Sequence, residues 1–349
     1  MYSEKRGNDF ILFARGAAPG TQKWVGQFAG DHPSNFDGLK AVLTGALNLC
    51  ACGYSTWGSD VGGYFGLPEP AVYMRWVQFA CFSPLMRPHG KAPRDPWHFG
   101  EAAVASYKFD AWVRENLLNY IYNAAVVAHE SGIPIMRSMA VAFPHELQMT
   151  SVRDQYMFGP DLLVAPVITE DNHRTILFPS GVWTSLWDGK QVSGPANMKI
   201  SVPLDEIPVY LKPGAAVLVQ LSRGLRFGES MTSGRVNALV VTRPNGDETV
   251  SLLNAKGEVA KVMVQSKAER FDWILENLIE TNFLLVYGTT TASMVKVDGK
   301  ILPKLTAGDF NSTPAGWEPD RAGNRLVIRL PLGQAPTSTR KIEVDFSAS

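Results

Sequence analysis

The period of the apolar pattern changes once along this 349-residue chain, near Pro134, and that change limits the fold more than any single motif does. Before it, short apolar runs alternate with helical stretches. FILFA (Phe10–Ala14) and WVGQFA (Trp24–Ala29) read as buried strands, Leu39–Leu49 has helical spacing, and YSTWGSD reads as a third strand ending at Asp60. YMRWVQFA is helical and leads into a fourth strand in CFSPLMR. Phe109, Val113, Leu117, Ile121, Ala124 and Ala128 share one helical face, which predicts a single long helix stopped by Gly132 and Pro134. Such alternation argues for parallel strands joined by helical crossovers. After Pro134 the pattern becomes short strands punctuated by Pro and Gly (DLLVAPV, TILFPSGVWTSLWDG, IPVYLKPGAAVLVQ), as in an antiparallel sandwich. From Ser222 a second β-rich block begins, with hairpins predicted at PNGD and NAKG. The expected domains are therefore 1–133, 134–221 and 222–349.

Composition narrows the function classes. Thirty-three basic residues balance thirty-three acidic ones with no run of Lys or Arg, which argues against nucleic acid or an anionic membrane as partner. No apolar run reaches the roughly 18 residues of a membrane span, and MYSEKRGNDF is polar, without a signal-peptide pattern. Cys50, Cys52 and Cys81 are too few and too badly placed for a disulfide framework, so buried reduced thiols, as in a cytoplasmic-type protein, are expected. Nine Trp, ten Tyr and seventeen Phe supply flat apolar faces that suit sugars, although a large core needs them too. HELQM at His145 lacks the second His of a zinc helix and the six His are scattered, so no metal or cofactor is expected. Neither a phosphate-binding glycine loop nor a G-x-S-x-G elbow is present. The NST sequence at Asn311 is discounted as a glycosylation site because Pro314 follows it.

Sites in parallel-strand architectures gather at the C-terminal strand ends. There, Arg15 follows the first strand, Asp31 the second, Asp60 ends the third, and Arg87 with His89 follow the fourth. Each has a plain alternative: Asp31 as a turn or helix-cap residue, Asp60 as an acceptor for backbone amides in GSDVGG, the arginines as structural ion-pair partners, His89 as a core histidine. Together, paired carboxylates with cationic and aromatic neighbours suggest glycoside hydrolysis, and the pattern alone pairs Asp31 with Asp60.

These segments together resemble glycoside hydrolase family 31, the α-glucosidase and α-xylosidase family. FILFARGAAPGTQKWVGQFAGD resembles its strand, arginine and acid/base block, and WGSDVGGY its GSDIGGF element. RWVQFACFSPLMRPHGKAPRDPWHFG resembles its RW-QF-AF-PLMR-HG-REPW-FG segment, while DQYMFGPDLLVAPV and LDEIPVYLKPGA resemble markers of the β-domain after the barrel. The likeness is specific from about Phe10 to Gln220 and weak from Leu221 onwards. It implies the C-terminal half of a (β/α)8 barrel, with strands five to eight, followed by two β-sandwich domains. It implies a retaining, exo-acting α-glucosidase or α-xylosidase acting on an α-linked oligosaccharide or α-glycoside. By the same resemblance Asp31 is the general acid/base, and Arg15, Asp60 and His89 bind sugar hydroxyls in the −1 subsite with support from Arg87. Phe28 and Tyr64 fall where the family places aromatic walls. Asp60 thereby becomes a substrate-binding carboxylate instead of a nucleophile, and a general acid at position 31 is expected among aromatics that desolvate it.

The family's nucleophile lies in a W-x-D-M-N-E type motif, and no such motif occurs in these residues. A second departure is GDH where the family often has GDN. The expectation is a chain without the first half of its barrel, carrying the acid/base but not the nucleophile. Open strand edges and uncovered apolar faces would forgo roughly 1.5–3 kcal/mol per large side chain, against a total stability of about 5–15 kcal/mol. Such a chain is expected to self-associate or to need an N-terminal half supplied by another chain; a non-catalytic carbohydrate-binding remnant is the remaining alternative.

Overall fold

The first four strands are short, parallel and adjacent in chain order: β1 (Phe13–Ala14), β2 (Gly26–Phe28), β3 (Trp57–Asp60) and β4 (Leu85–Arg87). The computed structural model describes residues 2–346 apart from 8, 17, 268, 279, 307–312 and 332–338, so Asn311 lies outside the described residues. A short helix, α1 (Tyr2–Arg6), precedes the sheet, and α2 (Phe36–Ala51) and α3 (Pro70–Cys81) cross over between its strands. Neighbouring parallel strands with helical connections are the (β/α) pattern that the alternating sequence predicts.

Helix α2 extends the helical spacing of Leu39–Leu49 by three residues at its start and two at its end. Asn35 caps it by accepting a hydrogen bond from the Gly38 N–H at 2.9 Å. Gly38 is required because a Cβ there would stand 2.0 Å from the Pro33 carbonyl oxygen. Every residue from Val72 to Cys81 of α3 is buried, including two polar ones that fasten it to the next domain. Arg75 donates to the carbonyls of Val202 (2.9 Å) and Glu206 (2.6 Å), and Gln78 donates to that of Leu204 (2.8 Å).

The long helix predicted around Phe109–Ala128 is two helices, α4 (Glu101–Asn116) and α5 (Leu118–Ser131). The break at Leu117 has a tertiary cause. Asn116 is fully buried, and its amide donates to the Gln220 carbonyl while accepting from the Gly228 N–H. Gly132 ends α5 in the left-handed conformation (φ 75°), as the sequence suggested. FILFA also forms less strand than expected. Only Phe13 and Ala14 pair, and Phe10, Ile11 and Leu12 are 40%, 64% and 42% exposed, because β1 is an edge strand of the described sheet.

The middle region is one antiparallel sheet of β5 (Met136–Ser138), β6 (Tyr156–Phe158), β7 (Leu162–Val164), β8 (His173–Ser185), β9 (Gln191–Ser201) and β10 (Val209–Leu211), in the order β5-β6-β7-β10-β8-β9. A register shift between Phe178 and Gly181 bends the long β8–β9 hairpin back over the sheet, so Ile176 and Phe178 pack on Met157 and Leu163. The described strands of this region thus form one antiparallel sheet with an irregular long hairpin.

Then come β11 (Ala216–Leu221), β12 (Val236–Val241), β13 (Glu248–Leu253), β14 (Val259–Lys267), β15 (Arg270–Glu276) and β16 (Phe283–Tyr287). They are followed by β17 (Met294–Val297), β18 (Lys300–Ile301), β19 (Gly316–Asp320), β20 (Arg325–Arg329) and β21 (Thr339–Asp345). These make two sheets, β11-β12-β16-β20-β19 and β13-β14-β15-β21-β17-β18, packed face to face around Trp273, Leu239, Leu284 and Ile342. Because β11 belongs to this sandwich, its sheet begins before the expected boundary at residue 221. NAKG is a hairpin turn between β13 and β14, but PNGD is not one. It carries the chain from one sheet to the other, since β12 already has β11 and β16 on its two edges. Cys50 and Cys81 are buried free thiols, whereas Cys52 is exposed, contrary to expectation. No described helix is long and apolar enough to cross a membrane.

Candidate active site

The C-terminal ends of β1–β4 open on a cleft of about 240 Å³ lined by Phe13, Arg15, Phe28, Asp31, Tyr64, Arg87 and His89. Six of the seven residues singled out in the sequence line it, and the seventh, Asp60, lies beneath it through its partner Arg87.

Asp31 is delivered by a built turn. Gly30, at φ 98°, lets the chain swing out of β2, and the His32 ring bonds back to the Gly30 carbonyl at 3.1 Å. The cap of α2 is Asn35, so Asp31 is not a helix-cap residue. Its carboxylate is 19% exposed and ion-pairs with Arg15, which is 66% exposed. The carboxylate thus meets a guanidinium in a cleft that the rings of Phe13, Phe28 and Tyr64 also line.

Asp60 ion-pairs with Arg87 and is 1% exposed, and one of its oxygens and the Arg87 Nε have no hydrogen-bond partner among the described residues. Burial pushes the Asp60 carboxyl up, while the hydrogen bond and charge of Arg87, with a smaller contribution from His89, oppose the shift. The Arg87 guanidinium stacks over Phe28 and Phe13 at 4.8 and 5.1 Å, and that of Arg15 lies 5.1 Å over Phe28. His89 is exposed, with its ring 5.9 Å from that of Tyr64, so it is not a core histidine.

The loops after β2 and β3 hold each other in place. Ser34 N–H donates to the Phe65 carbonyl, and the Tyr64 and Phe65 N–H groups both donate to that of His32. Gly63 (φ 81°) permits this approach, because a Cβ would meet Pro33 and Ser34 at 2.8 Å. One residue that sequence reasoning passed over ties the arrangement together. Arg94, 5% exposed, donates to the carbonyls of Gly63 (2.7 Å), Gly66 (2.9 Å), Ala92 (3.1 Å) and Pro93 (3.0 Å) and to Ser34 Oγ (3.1 Å). Its signal was the arginine of KAPRDPW, which reads as a surface charge unless the loops are already folded around it. No group of three or more metal-binding side chains exists among the described residues.

Carboxylates, guanidiniums, a histidine and aromatic walls are gathered at the C-terminal ends of parallel strands, where the sites of this architecture lie. Comparison with known proteins is consistent along the chain. The model of the glycosyl hydrolases family 31 TIM-barrel domain matches residues 1–124, and that of the family 31 C-terminal domain matches 132–217. An α-xylosidase of Emericella nidulans is 36% identical over 214 residues, 59% of this chain and 27% of its own length. An isomaltosyltransferase of Sporosarcina globispora is 27% identical over 94% of this chain and 32% of its own. A cycloalternan-forming enzyme from Listeria monocytogenes, solved with a pentasaccharide substrate, superposes with a TM-score of 0.90 at 26% identity, covering 99% of this chain and 34% of its own. The chain belongs to glycoside hydrolase family 31. It spans about a quarter to a third of the length of these curated relatives.

Proposed function

We propose that this chain supplies the acid/base side of the sugar site of a retaining, exo-acting α-glucosidase. The reading is carried by one observation: Asp31, Arg15, Arg87 and His89 converge on a single cleft with Asp60 beneath it and Phe28 and Tyr64 as walls. Asp31 gives its proton to the glycosidic oxygen as the C1–O bond breaks, while a nucleophilic carboxylate from outside these residues bonds C1. Asp31 then takes a proton from the water that displaces that carboxylate, which restores both groups and retains the anomeric configuration. Asp60, His89 and Arg15 bind ring hydroxyls, and hydrogen bonds that tighten as the ring flattens lower the barrier. Arg87 holds Asp60 in place.

The carbohydrate partner is thus a terminal α-linked glucoside, and the chain alone, without a nucleophile, is expected to bind sugar but not turn it over. The test is hydrolysis of an aryl α-glucoside by this chain combined with a polypeptide carrying the family's W-x-D motif, compared with Asp31→Asn. Activity that survives Asp31→Asn unchanged overturns the reading, and saturable sugar binding without turnover in the combined protein means a binding remnant. Aryl α-xyloside in the same assay separates glucoside from xyloside specificity.

A further inference from the structure

A cavity of about 660 Å³ lies where helices α3 and α4, the middle sheet and the distal sandwich meet, away from the Asp31 cleft. We propose that it is a second saccharide site, which takes a neutral α-linked gluco-oligosaccharide without cleaving it. The ligand class rests on the reading above; the site does not.

The volume falls within the roughly 300–1,000 Å³ of small-molecule pockets, and one wall is a preformed aromatic surface. Trp187 is half-buried, its indole N–H donates to the Ile207 carbonyl at 2.6 Å, and its ring is braced by Phe82, Phe227 and Phe109 at 6.4, 6.5 and 5.8 Å. Phe109, although 37% exposed, is seated on Gly228, where a Cβ would come within 2.1 Å of its ring. A rigid indole face at a cavity wall suits the apolar face of a pyranose.

The polar groups select among ligands. Asp110 is 1% exposed, accepts from Ser106 Oγ at 3.3 Å, and has no cationic partner among the described residues. Burial pushes its carboxyl up to about 8, which favours the protonated form that can donate to a ligand oxygen. Asp205 and Glu206 stand exposed at the mouth, and Arg226 lies there 3.7 Å from Asp320. Arg325 is already committed to Asp320 and the Tyr287 hydroxyl. Rim carboxylates, with Arg226 and Arg325 both already paired with Asp320, disfavour an anionic ligand, and a purely apolar ligand would desolvate them without return. A neutral polyhydroxyl compound donates to Asp205 and Glu206, accepts from Arg226 and Asp110, and stacks on Trp187.

The test is calorimetric and saturation-transfer NMR titration of the full chain with maltotriose and isomaltotriose. Ala105→Trp fills the cavity from an exposed helix position without removing any packing. It is expected to weaken the remote binding about tenfold or more, as is Trp187→Ala, while Asp31→Asn and Asp60→Asn leave it unchanged. If folded Ala105→Trp binds as tightly as the parent, or if Asp60→Asn removes all binding, or if neither saccharide binds, the proposal is overturned. Failure of the α-glucosidase reading would appear instead in the Asp31-dependent turnover assay, which Ala105→Trp does not enter.

Discussion

Asp60 in the half barrel and Asp272 in the distal sandwich are both buried aspartates beside arginine, and their surroundings differ in one respect. Asp272, on β15, is fully buried, and both its oxygens are satisfied: Arg270 at 2.6 Å, Lys341 at 3.2 Å and Lys267 at 3.4 Å. Burial acts to raise its carboxyl, but hydrogen bonds from Arg270 and Lys341 outweigh it and hold the group below the usual carboxylate range. Asp60 has one guanidinium and one oxygen without a described partner, and there burial wins. A structural carboxylate is given all the cations it can use. Asp60, beneath the proposed sugar cleft, keeps hydrogen-bonding capacity in reserve, at a cost in stability that packing elsewhere must offset.

The largest effect that bears on this contrast is catalytic. Asp31→Asn in a nucleophile-complemented protein should lower aryl α-glucoside turnover by about 10²–10⁴-fold with the same melting temperature, and a normal rate would remove the barrel cluster from the functional side of the comparison. Next comes Arg94→Ala, which strands several loop carbonyls that Arg94 now serves. It should cost about 3 kcal/mol of unfolding free energy in urea and loosen sugar binding; a loss under about 0.5 kcal/mol would show that the loops hold themselves.

Smaller, but decisive for the pair, is Asp272→Asn, expected to cost about 1–2 kcal/mol because three partly exposed cations lose their anion. Since the folded Asp272 carboxyl is depressed, its stabilisation is present above about pH 4 and lost as pH falls through the folded value. The variant should therefore show a flatter acid limb in thermal melts. Burial already works against the single ion pair of Asp60, so Asp60→Asn should cost less stability than Asp272→Asn yet abolish sugar binding in the cleft, and equal destabilisation by both substitutions would break the comparison. A further effect is a slope. Asp110 is raised, so its contribution is present below about pH 4 and declines as pH rises towards its folded value of about 8. Asp110→Asn should gain stability relative to the parent across that interval, and parallel pH profiles for the two would contradict the assignment.

Much of the barrel was legible because its signals are local. The helical face of Leu39–Leu49, the Gly132 stop and the polar residues just past β1–β4 follow from dihedral preferences, periodicity and the rule that strand ends carry sites. The misreadings share a different cause. PNGD has good hairpin chemistry, but β12 had two other partners; Leu117 fits a helical face, but Asn116 turns aside to bond Gln220 and Gly228. Cys52 looked like a core thiol and sits at an exposed helix end.

By itself, then, the sequence determined a family, a change from parallel to antiparallel structure, and a set of ionisable residues at one sheet edge. Only the tertiary structure decided which charges meet: Arg15 on Asp31, Arg87 on Asp60, Arg94 across two loops, and Trp187 beside Asp110 in a cavity that three regions enclose. The reason is physical. Dihedral preference and apolar periodicity act over a few residues, whereas ion pairing, burial and strand partnering depend on what distant segments bring to the same place.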